Sequence, residues 1–342
     1  MRRIKQAVLV VCALLIVGAA TLAWLWSDRP SLANIDWPQP VIATVADGDE
    51  VTVTWLGVST LLFDDGETQV LIDGFFSRPS LADVILDLPV ENDAVTINFA
   101  LYEYRMRRLA ALVAVHSHFD HAMDIGAIAN RTSASVLGSA STAQIARGAG
   151  VPEDQIAAVE TGQPYSFGRF TLTLLASKHA PVGWRGSVPY AGTIDAPLKM
   201  PQPPSAWREG GSYTIVIEHP QGTTIVQGSA GFTGDMDAAV PADVVMLGIG
   251  GLGSLGKDYS ERYWQALVTS TGAHSVYPIH FDDYTRPFGD IVPGPRFLGD
   301  LETTAAWLDE FRRKWDTDAR LFLPVFGQPM AIYSAPEPLP ET

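Results

Sequence analysis

Apolar residues follow two different patterns along the chain, and each pattern predicts a different structure. Residues 7–26 form an almost unbroken apolar stretch without a charged side chain, and about 20 apolar residues in a helix cross the hydrocarbon core of a bilayer. From residue 51 onward, short apolar segments alternate with turn residues, which is typical of strands in a folded domain. The sequence therefore predicts one membrane-spanning helix followed by a globular domain.

The charges on either side of the apolar stretch predict its orientation. Arg2, Arg3 and Lys5 precede the stretch, whereas only Asp28 and Arg29 follow it closely. Because Lys and Arg are enriched on the cytoplasmic side of membrane helices, we expect a cytoplasmic N-terminus and an exported domain. This arrangement corresponds to a single-pass protein of the inner membrane with its domain in the periplasm.

A cleaved secretory signal peptide is the alternative interpretation of the same segment, and it would leave a periplasmic protein without an anchor. Small residues that could form a processing site lie at Gly18, Ala19, Ala20 and Ala23. Cys12, the single cysteine of the chain, also lies in this segment. The sequence therefore predicts no disulfide framework.

Prolines mark the segment between the apolar stretch and the domain. Pro30, Pro38 and Pro40 occur there with little hydrophobic periodicity, which indicates a tether. The predicted division is an anchor or signal segment at 1–29, a linker at 30–49 and a folded domain at 50–342.

The globular part contains two series of predicted strands, each followed by helices. The first series has strands at 51–56, 60–63, 68–73 and 112–115 and a helix at 121–130. The second has strands at 213–217, 223–226, 243–247, 274–279 and 320–325 and helices at 258–270 and 301–315. Strands before helices in each half fit two sheets packed face to face with helices outside. The predicted fold class is therefore α/β, a four-layer αβ/βα sandwich.

The composition restricts the possible partners. The 342 residues are 47% hydrophobic and carry a formal net charge of -15. Nonspecific nucleic-acid binding depends on clustered Lys and Arg, so a nucleic-acid partner is not expected. An anionic substrate would have to be attracted by local positive charge, which favours a site that holds its own cation.

Histidines cluster at one point of the chain. Three of the seven histidines, His116, His118 and His121, lie within six positions that also include Asp120. Imidazole and carboxylate groups are the ligands that suit zinc and related divalent metals. A loop of solvated histidines is the alternative, but it does not account for the hydrophobic strand at 112–115 that leads directly into the cluster. The pattern therefore predicts a metal site at a strand-to-helix loop.

The run from His116 to His121 matches the H-x-H-x-D-H motif in full, and in this respect the chain resembles the metallo-β-lactamase superfamily. Four further segments are similar to conserved elements of that superfamily in the same order: 55–60, 71–73, 177–181 and 278–283. The similarity favours the branch of ascorbate-phosphate lactonases and N-acyl-phosphatidylethanolamine-type phospholipases over the antibiotic-hydrolysing enzymes. It also implies the metallo-β-lactamase sandwich for the domain.

The resemblance implies a metal-dependent hydrolase with one or two divalent ions, expected to be zinc. One ion would be held by His116, His118 and His179, and a second by Asp120, His121 and His280. A metal-bound hydroxide would attack an ester, lactone or phosphodiester, and Asp120 would also be the catalytic residue that holds the water proton.

Two other histidines lack any such motif. His219 and His274 are therefore expected to be structural.

One element departs from the superfamily pattern. Its members usually carry a metal-bridging aspartate after a hairpin like the one predicted at 213–226, and Ser229 occupies that position here. A hydroxyl is a weaker ligand than a carboxylate, so the second metal would be weakened or absent. Asp235, which follows shortly after, is the competing candidate for the bridging position.

The substrate is not specified by the motif. A small-molecule or lipid-derived substrate is expected, and the anchor would keep the site near the bilayer. The irregular stretch 183–207 is a candidate substrate wall or a rigid cover over the sheet edge, and Tyr284 and Arg286 are candidates to orient an anionic group. The alternative function is a non-catalytic metal-binding member of the fold in the cell envelope. The oligomeric state stays open.

Overall fold

The computed structural model describes residues 2–43, 50–233, 240–315 and 318–334. Its nine α-helices within these ranges are α1 (Arg2–Ser27), α2 (Leu81–Ile85), α3 (Ala94–Glu103), α4 (Phe119–Ala122), α5 (Ile125–Thr132), α6 (Ala140–Gly148), α7 (Lys257–Trp264), α8 (Arg296–Gly299) and α9 (Leu301–Lys314). A π-helical turn at Gln265–Thr269 extends α7.

Fourteen strands lie within the described ranges and form two seven-stranded sheets. The first sheet contains β1 (Thr52–Trp55), β2 (Leu61–Asp64), β3 (Gln69–Ile72), β4 (Leu109–Val113), β5 (Ser135–Gly138), β6 (Ile156–Ala158) and β14 (Pro329–Ala331). The second contains β7 (Pro164–Phe167), β8 (Phe170–Ser177), β9 (Ser212–His219), β10 (Gly222–Gln227), β11 (Val244–Gly248), β12 (Ser275–Ile279) and β13 (Arg320–Leu321).

Both sheets are mixed. The first has the order β14-β1-β2-β3-β4-β5-β6, with antiparallel hairpins from β1 to β3 and parallel pairing from β3 to β6. The second has the order β13-β12-β11-β10-β9-β8-β7, with antiparallel pairing from β7 to β10 and parallel pairing from β10 to β13. The carboxyl ends of parallel strands lie at one edge of a sheet.

The core has two parts that account for the layers. Trp55 of β1 and Ile215 of β9 belong to one buried cluster that joins the sheets and reaches α7 through Trp264. A second cluster packs helices against the outer face of the first sheet, with Leu112 of β4 and Ile128 of α5 among its members. The predicted four-layer αβ/βα sandwich is therefore confirmed.

The helix predicted at 121–130 is divided into α4 and α5. Asp124 lies at the division, and its carboxylate accepts hydrogen bonds from the backbone N–H groups of Phe76 and Ser77. The strand predicted at 320–325 pairs with β12 only as far as Leu321, because the N–H of Leu323 donates to the carbonyl of Pro38 instead. Side-chain and linker contacts thus alter element boundaries that periodicity alone predicts.

The described part of the predicted linker lies against the domain rather than apart from it. Trp37 and Ile35 are buried in the core that joins the sheets. Ile42 forms a β-bridge with Met330, and the N–H of Ala331 donates to the carbonyl of Val41. Residues 44–49 lie outside the described ranges, so the boundary at residue 50 stays a prediction.

Helix α1 has the length and composition to span a membrane, and among the described helices it alone does. At 1.5 Å per residue, its 26 residues extend about 40 Å, compared with about 30 Å for a hydrocarbon core. None of its side chains is buried in the domain. Most of the apolar stretch therefore stands away from the sandwich, and only its last turn contacts α8 through Trp26.

Candidate metal centre

The histidine cluster follows β4 at the point where the chain turns into α4. The N–H of Val115 donates to the carboxylate of Asp73 over 2.9 Å, and the N–H of Ser117 donates to the carbonyl of Glu209. These bonds fix the loop on both sides of His116. His116, His118, Asp120 and His121 are all buried there.

His116, His118 and His179 form the first group of candidate ligands, with ligand atoms that all lie within 4.8 Å of one another. The Nε2 of His118 lies 2.9 Å from the carbonyl oxygen of Pro189, and the Nδ1 of His179 lies 2.7 Å from that of Ala180. A carbonyl oxygen can only accept, so each of these ring nitrogens carries its proton. Nδ1 of His118 and Nε2 of His179 are left as electron-pair donors.

Asp120, His121 and His280 form the second group, again with ligand atoms within 4.8 Å of one another. The Oδ2 of Asp120 lies 3.5 Å from the Nε2 atoms of both histidines. His280 follows β12 and has a positive φ of 59°, a conformation that is uncommon outside glycine. Its N–H donates to the carbonyl of Val58, which holds it in this conformation.

Burial and neighbouring charges together shift the pKa values of these groups, and the charges of Asp120 and Asp73 raise that of His121 against the effect of burial. Burial lowers the pKa of His116 well below its usual value and lowers that of His118 to about 3. Burial alone would raise the pKa of Asp120, but the charges of His121 and His280 and the hydrogen bond from His280 lower it overall. Neutral imidazoles and an ionised carboxylate are the forms that bind metals.

The contacts of His116 test whether the site fits a cation. His116 is 1% exposed, and neither ring nitrogen has a hydrogen-bond partner among the described residues. A buried polar group left without a partner costs about 1–3 kcal/mol. An imidazole so placed beside five other candidate ligands fits a divalent metal.

Asp73 supports the second group, although the sequence did not assign it a site role. Its Oδ2 lies 2.8 Å from Nδ1 of His121 and 2.5 Å from the hydroxyl of Ser59. Metal-binding histidines usually donate their second ring nitrogen to such a carboxylate, which fixes the ring orientation. The sequence did carry a signal for this role: Asp73 follows β3, and β3 pairs with the strand that leads to His116.

Ser229 follows β10, two residues after Gln227 at the end of that strand. It is buried, and its hydroxyl accepts a hydrogen bond from the N–H of Ala180 over 2.9 Å. The contact links the turn after β10 to the residue that follows His179. Asp235 lies outside the described residues, so the occupant of the bridging position stays a prediction.

The other sequence candidates lie in different surroundings. His219 is near Asp65 and His274 near Asp243, and neither histidine joins the two groups. Arg286 pairs with Asp290 on the exposed surface.

The irregular stretch 183–207 contributes to the site wall through one side chain. The ring of Tyr190 lies 6.1 Å from that of His118. Trp207 in the same stretch is fully buried, whereas Trp184 is exposed. The stretch therefore both covers core residues and borders the first group.

Comparisons with known proteins bear on the fold of the chain. No protein-family model matches the chain. A possible metal-dependent hydrolase from Veillonella parvula superposes with a TM-score of 0.50 at 15% identity, covering 82% of this chain and 99% of that chain. CmlA, a diiron beta-hydroxylase from Streptomyces venezuelae, superposes with a TM-score of 0.50 at 13% identity, covering 83% of this chain and 54% of that chain. The metallo-beta-lactamase fold protein YhfI from Bacillus subtilis superposes with a TM-score of 0.44 at 15% identity, covering 80% of this chain and 97% of that chain.

The chain has a metallo-β-lactamase-like fold, with two mixed seven-stranded sheets flanked by helices that superpose on the Veillonella parvula protein. Two curated proteins, each named "UPF0173 metal-dependent hydrolase", are also similar. The one from Heliobacterium modesticaldum is 31% identical over 121 residues, which is 35% of this chain and 43% of that protein. The one from Roseiflexus sp. is 28% identical over 137 residues, which is 39% of this chain and 49% of that protein. The chain thus matches less than half the length of these relatives.

Proposed function

We propose that the protein is a metal-dependent hydrolase that cleaves an ester, lactone or phosphodiester. The unpartnered ring nitrogens of buried His116, set among two groups of three candidate ligands, carry this proposal. The names of the two curated relatives are consistent with it. Zinc is the proposed metal, because tetrahedral sites of imidazole and carboxylate suit it.

Each group of three has a distinct place in the proposed site. His116, His118 and His179 would hold one ion, and Asp120, His121 and His280 a second. A bound divalent cation lowers the pKa of a coordinated water to about 7 and polarises the oxygen under attack.

Asp120 is the proposed catalytic residue. Its carboxylate is ionised, because His121 and His280 lower its pKa against the effect of burial. An ionised carboxylate can accept a proton, so Asp120 would take one from the attacking water and pass it to the leaving alcohol. The hydrogen bond between Asp73 and His121 keeps the imidazole beside that carboxylate.

We also propose that α1 anchors the protein in the inner membrane with the domain in the periplasm. The positive residues before the apolar stretch support this orientation. The substrate would then be a small or lipid-derived molecule of the cell envelope.

Hydrolysis by the metal-loaded full chain tests the proposed activity. The chain is stripped with a chelator, reloaded with zinc and assayed on matched ester, lactone and phosphodiester substrates. We expect zinc to restore turnover of at least one class in the wild type and in His274→Ala, a histidine outside both groups, but not in His116→Ala. Tight zinc binding without turnover on any class would instead support the non-catalytic metal-binding function.

A further inference from the structure

Two of the six candidate ligands, His179 and His280, follow strands of the second sheet at one edge. Strands β10, β11 and β12 are parallel, so the residues after them meet at the same edge. Gly250, which follows β11, packs against His280, which follows β12, so closely that an added Cβ would lie 2.8 Å from the His280 Nδ1. The neighbourhood of Gly250 therefore belongs to the metal edge.

Two apolar segments meet beside this glycine. A Cβ on Gly251 would lie 2.8 Å from the side chain of Val182 and 3.8 Å from the carbonyl oxygen of Leu298. Val182 comes three residues after His179, and Leu298 lies in α8. Helix α8 and the loop after His179 therefore both border the metal edge.

The end of α1 is attached at the same place. The ring of Trp26 contacts the ring of Phe297 in α8 at a centroid distance of 6.0 Å. Arg29 forms an ion pair of 2.7 Å with Asp283, three residues after His280. The proposed membrane anchor thus leaves the domain next to the metal centre, not from the opposite edge.

Four exposed apolar side chains lie on α8 and on the loop after His179. We call them the apolar rim: Val182, Trp184, Phe297 and Leu298. They are 40%, 83%, 49% and 48% exposed. Single exposed apolar residues are ordinary on soluble proteins. A group of exposed apolar residues next to a membrane-length helix instead indicates a surface that contacts the membrane. Tryptophan in particular is enriched at membrane interfaces.

We propose that the apolar rim lies in the headgroup region of the bilayer, so that the metal centre opens toward the membrane surface. The bilayer is the occupant favoured here because the rim is continuous with α1 through the contact between Trp26 and Phe297. As a consequence that rests on the proposed hydrolase function, the substrate is an amphiphile whose apolar chain is held in the membrane.

Lipid-quenching measurements on the full chain in nanodiscs test the docking itself. Cys12→Ser removes the native cysteine, and Phe297→Cys or Trp184→Cys then carries an environment-sensitive fluorophore. Glu67→Cys is the matched control, because its exposed turn lies between β2 and β3 at the opposite edge of the sandwich. We expect nitroxide-labelled lipid to quench the labels at 297 and 184, but not the label at 67.

Equal, weak quenching at all three positions would overturn the docking. Preferential cross-linking between two copies through position 297 would do so as well, because the rim would then be a protein interface. An intact mass showing that residues 1–29 have been removed from the mature chain would also contradict it.

A second measurement addresses the substrate separately. Short-chain soluble and long-chain membrane-held forms of the same scissile group are compared in the wild type and in a Phe297→Ser/Leu298→Ser variant. We expect the variant to lose about tenfold on the long-chain form only. An equal loss on both forms would overturn the substrate class. Absence of turnover on both forms in the wild type would contradict the hydrolase function, whereas the quenching result would stand independently.

Discussion

At the scale of single residues, the site depends on groups that hold the candidate ligands as well as on the ligands. Six candidate ligands could be named from the sequence because a dense motif identified four and the resemblance supplied His179 and His280. The role of Asp73 could not be read in the same way, because its partner His121 lies 48 positions away and only the fold brings them together.

Asp73→Asn tests this supporting role. Asp73 accepts at Oδ1 from Val115 and at Oδ2 from His121, whereas asparagine has only one acceptor oxygen, so we expect metal affinity to fall by about 10- to 100-fold. Chelator competition measures the change, and Asp290→Asn on the exposed surface is the control. Unchanged affinity would mean that Asp73 does not orient the histidine.

Ser229→Ala tests the contact between the turn after β10 and the loop of His179. The substitution leaves the buried N–H of Ala180 without its partner, which costs about 1–3 kcal/mol. We therefore expect lower thermal stability and weaker metal binding, both largely restored in Ser229→Thr. Wild-type stability of the alanine variant would show that the hydroxyl does not support the loop.

At the scale of elements, strands flanked by clear turn residues were predictable, whereas elements defined by long-range pairing were not. The hairpins of β1 to β3 follow local alternation and turn signals. Strand β14 is a three-residue segment whose pairing with β1 joins residues far apart in the sequence. Strand β8 was missed although alternate positions along Phe170–Ser177 are buried, a period-2 signal that the sequence carried.

Gly250→Ala tests the close packing of the turn after β11 on His280. An added methyl would approach the His280 carbonyl oxygen at 2.7 Å, so the histidine must shift. We expect weaker binding of the second metal, measured by metal titration. Gly294→Ala is the control, because its Cβ position has no neighbour within 4 Å among the described residues. Equal binding by the two variants would contradict the packing argument.

The attachment of the linker to α9 has a predictable pH dependence. The hydrogen bond from Arg296, with those from Ser31 and Asn34, lowers the pKa of Glu302 to about 2 from an ordinary 4.5. A carboxyl whose folded pKa is lowered stabilises the folded state above its unfolded pKa, and the effect is lost as pH falls from 4.5 toward 2. We expect amide exchange across 30–43, corrected for its intrinsic pH dependence, to stay slow at pH 5 and to accelerate below 4.5. Glu302→Gln should show fast exchange at both pH values, and equally slow exchange in that variant would contradict the attachment.

At the scale of the whole molecule, the order of strands and helices was sufficient to predict the sandwich and the edge that carries the histidines. The packing of the linker was not predictable, because a proline-rich segment with little periodicity gives no signal for the surface it will contact. Trp37 is buried through tertiary contacts that link the segment after α1 to the far end of the chain. The described segment after α1 is therefore packed on the domain.

The metal content of the full chain is the most direct test of the proposed metal centre. The protein is purified in detergent without added metal and analysed by mass spectrometry beside His116→Ala and His274→Ala. We expect one to two equivalents of a divalent metal in the wild type and in His274→Ala, and a marked loss in His116→Ala. A wild-type protein without metal, even after incubation with zinc, would contradict it.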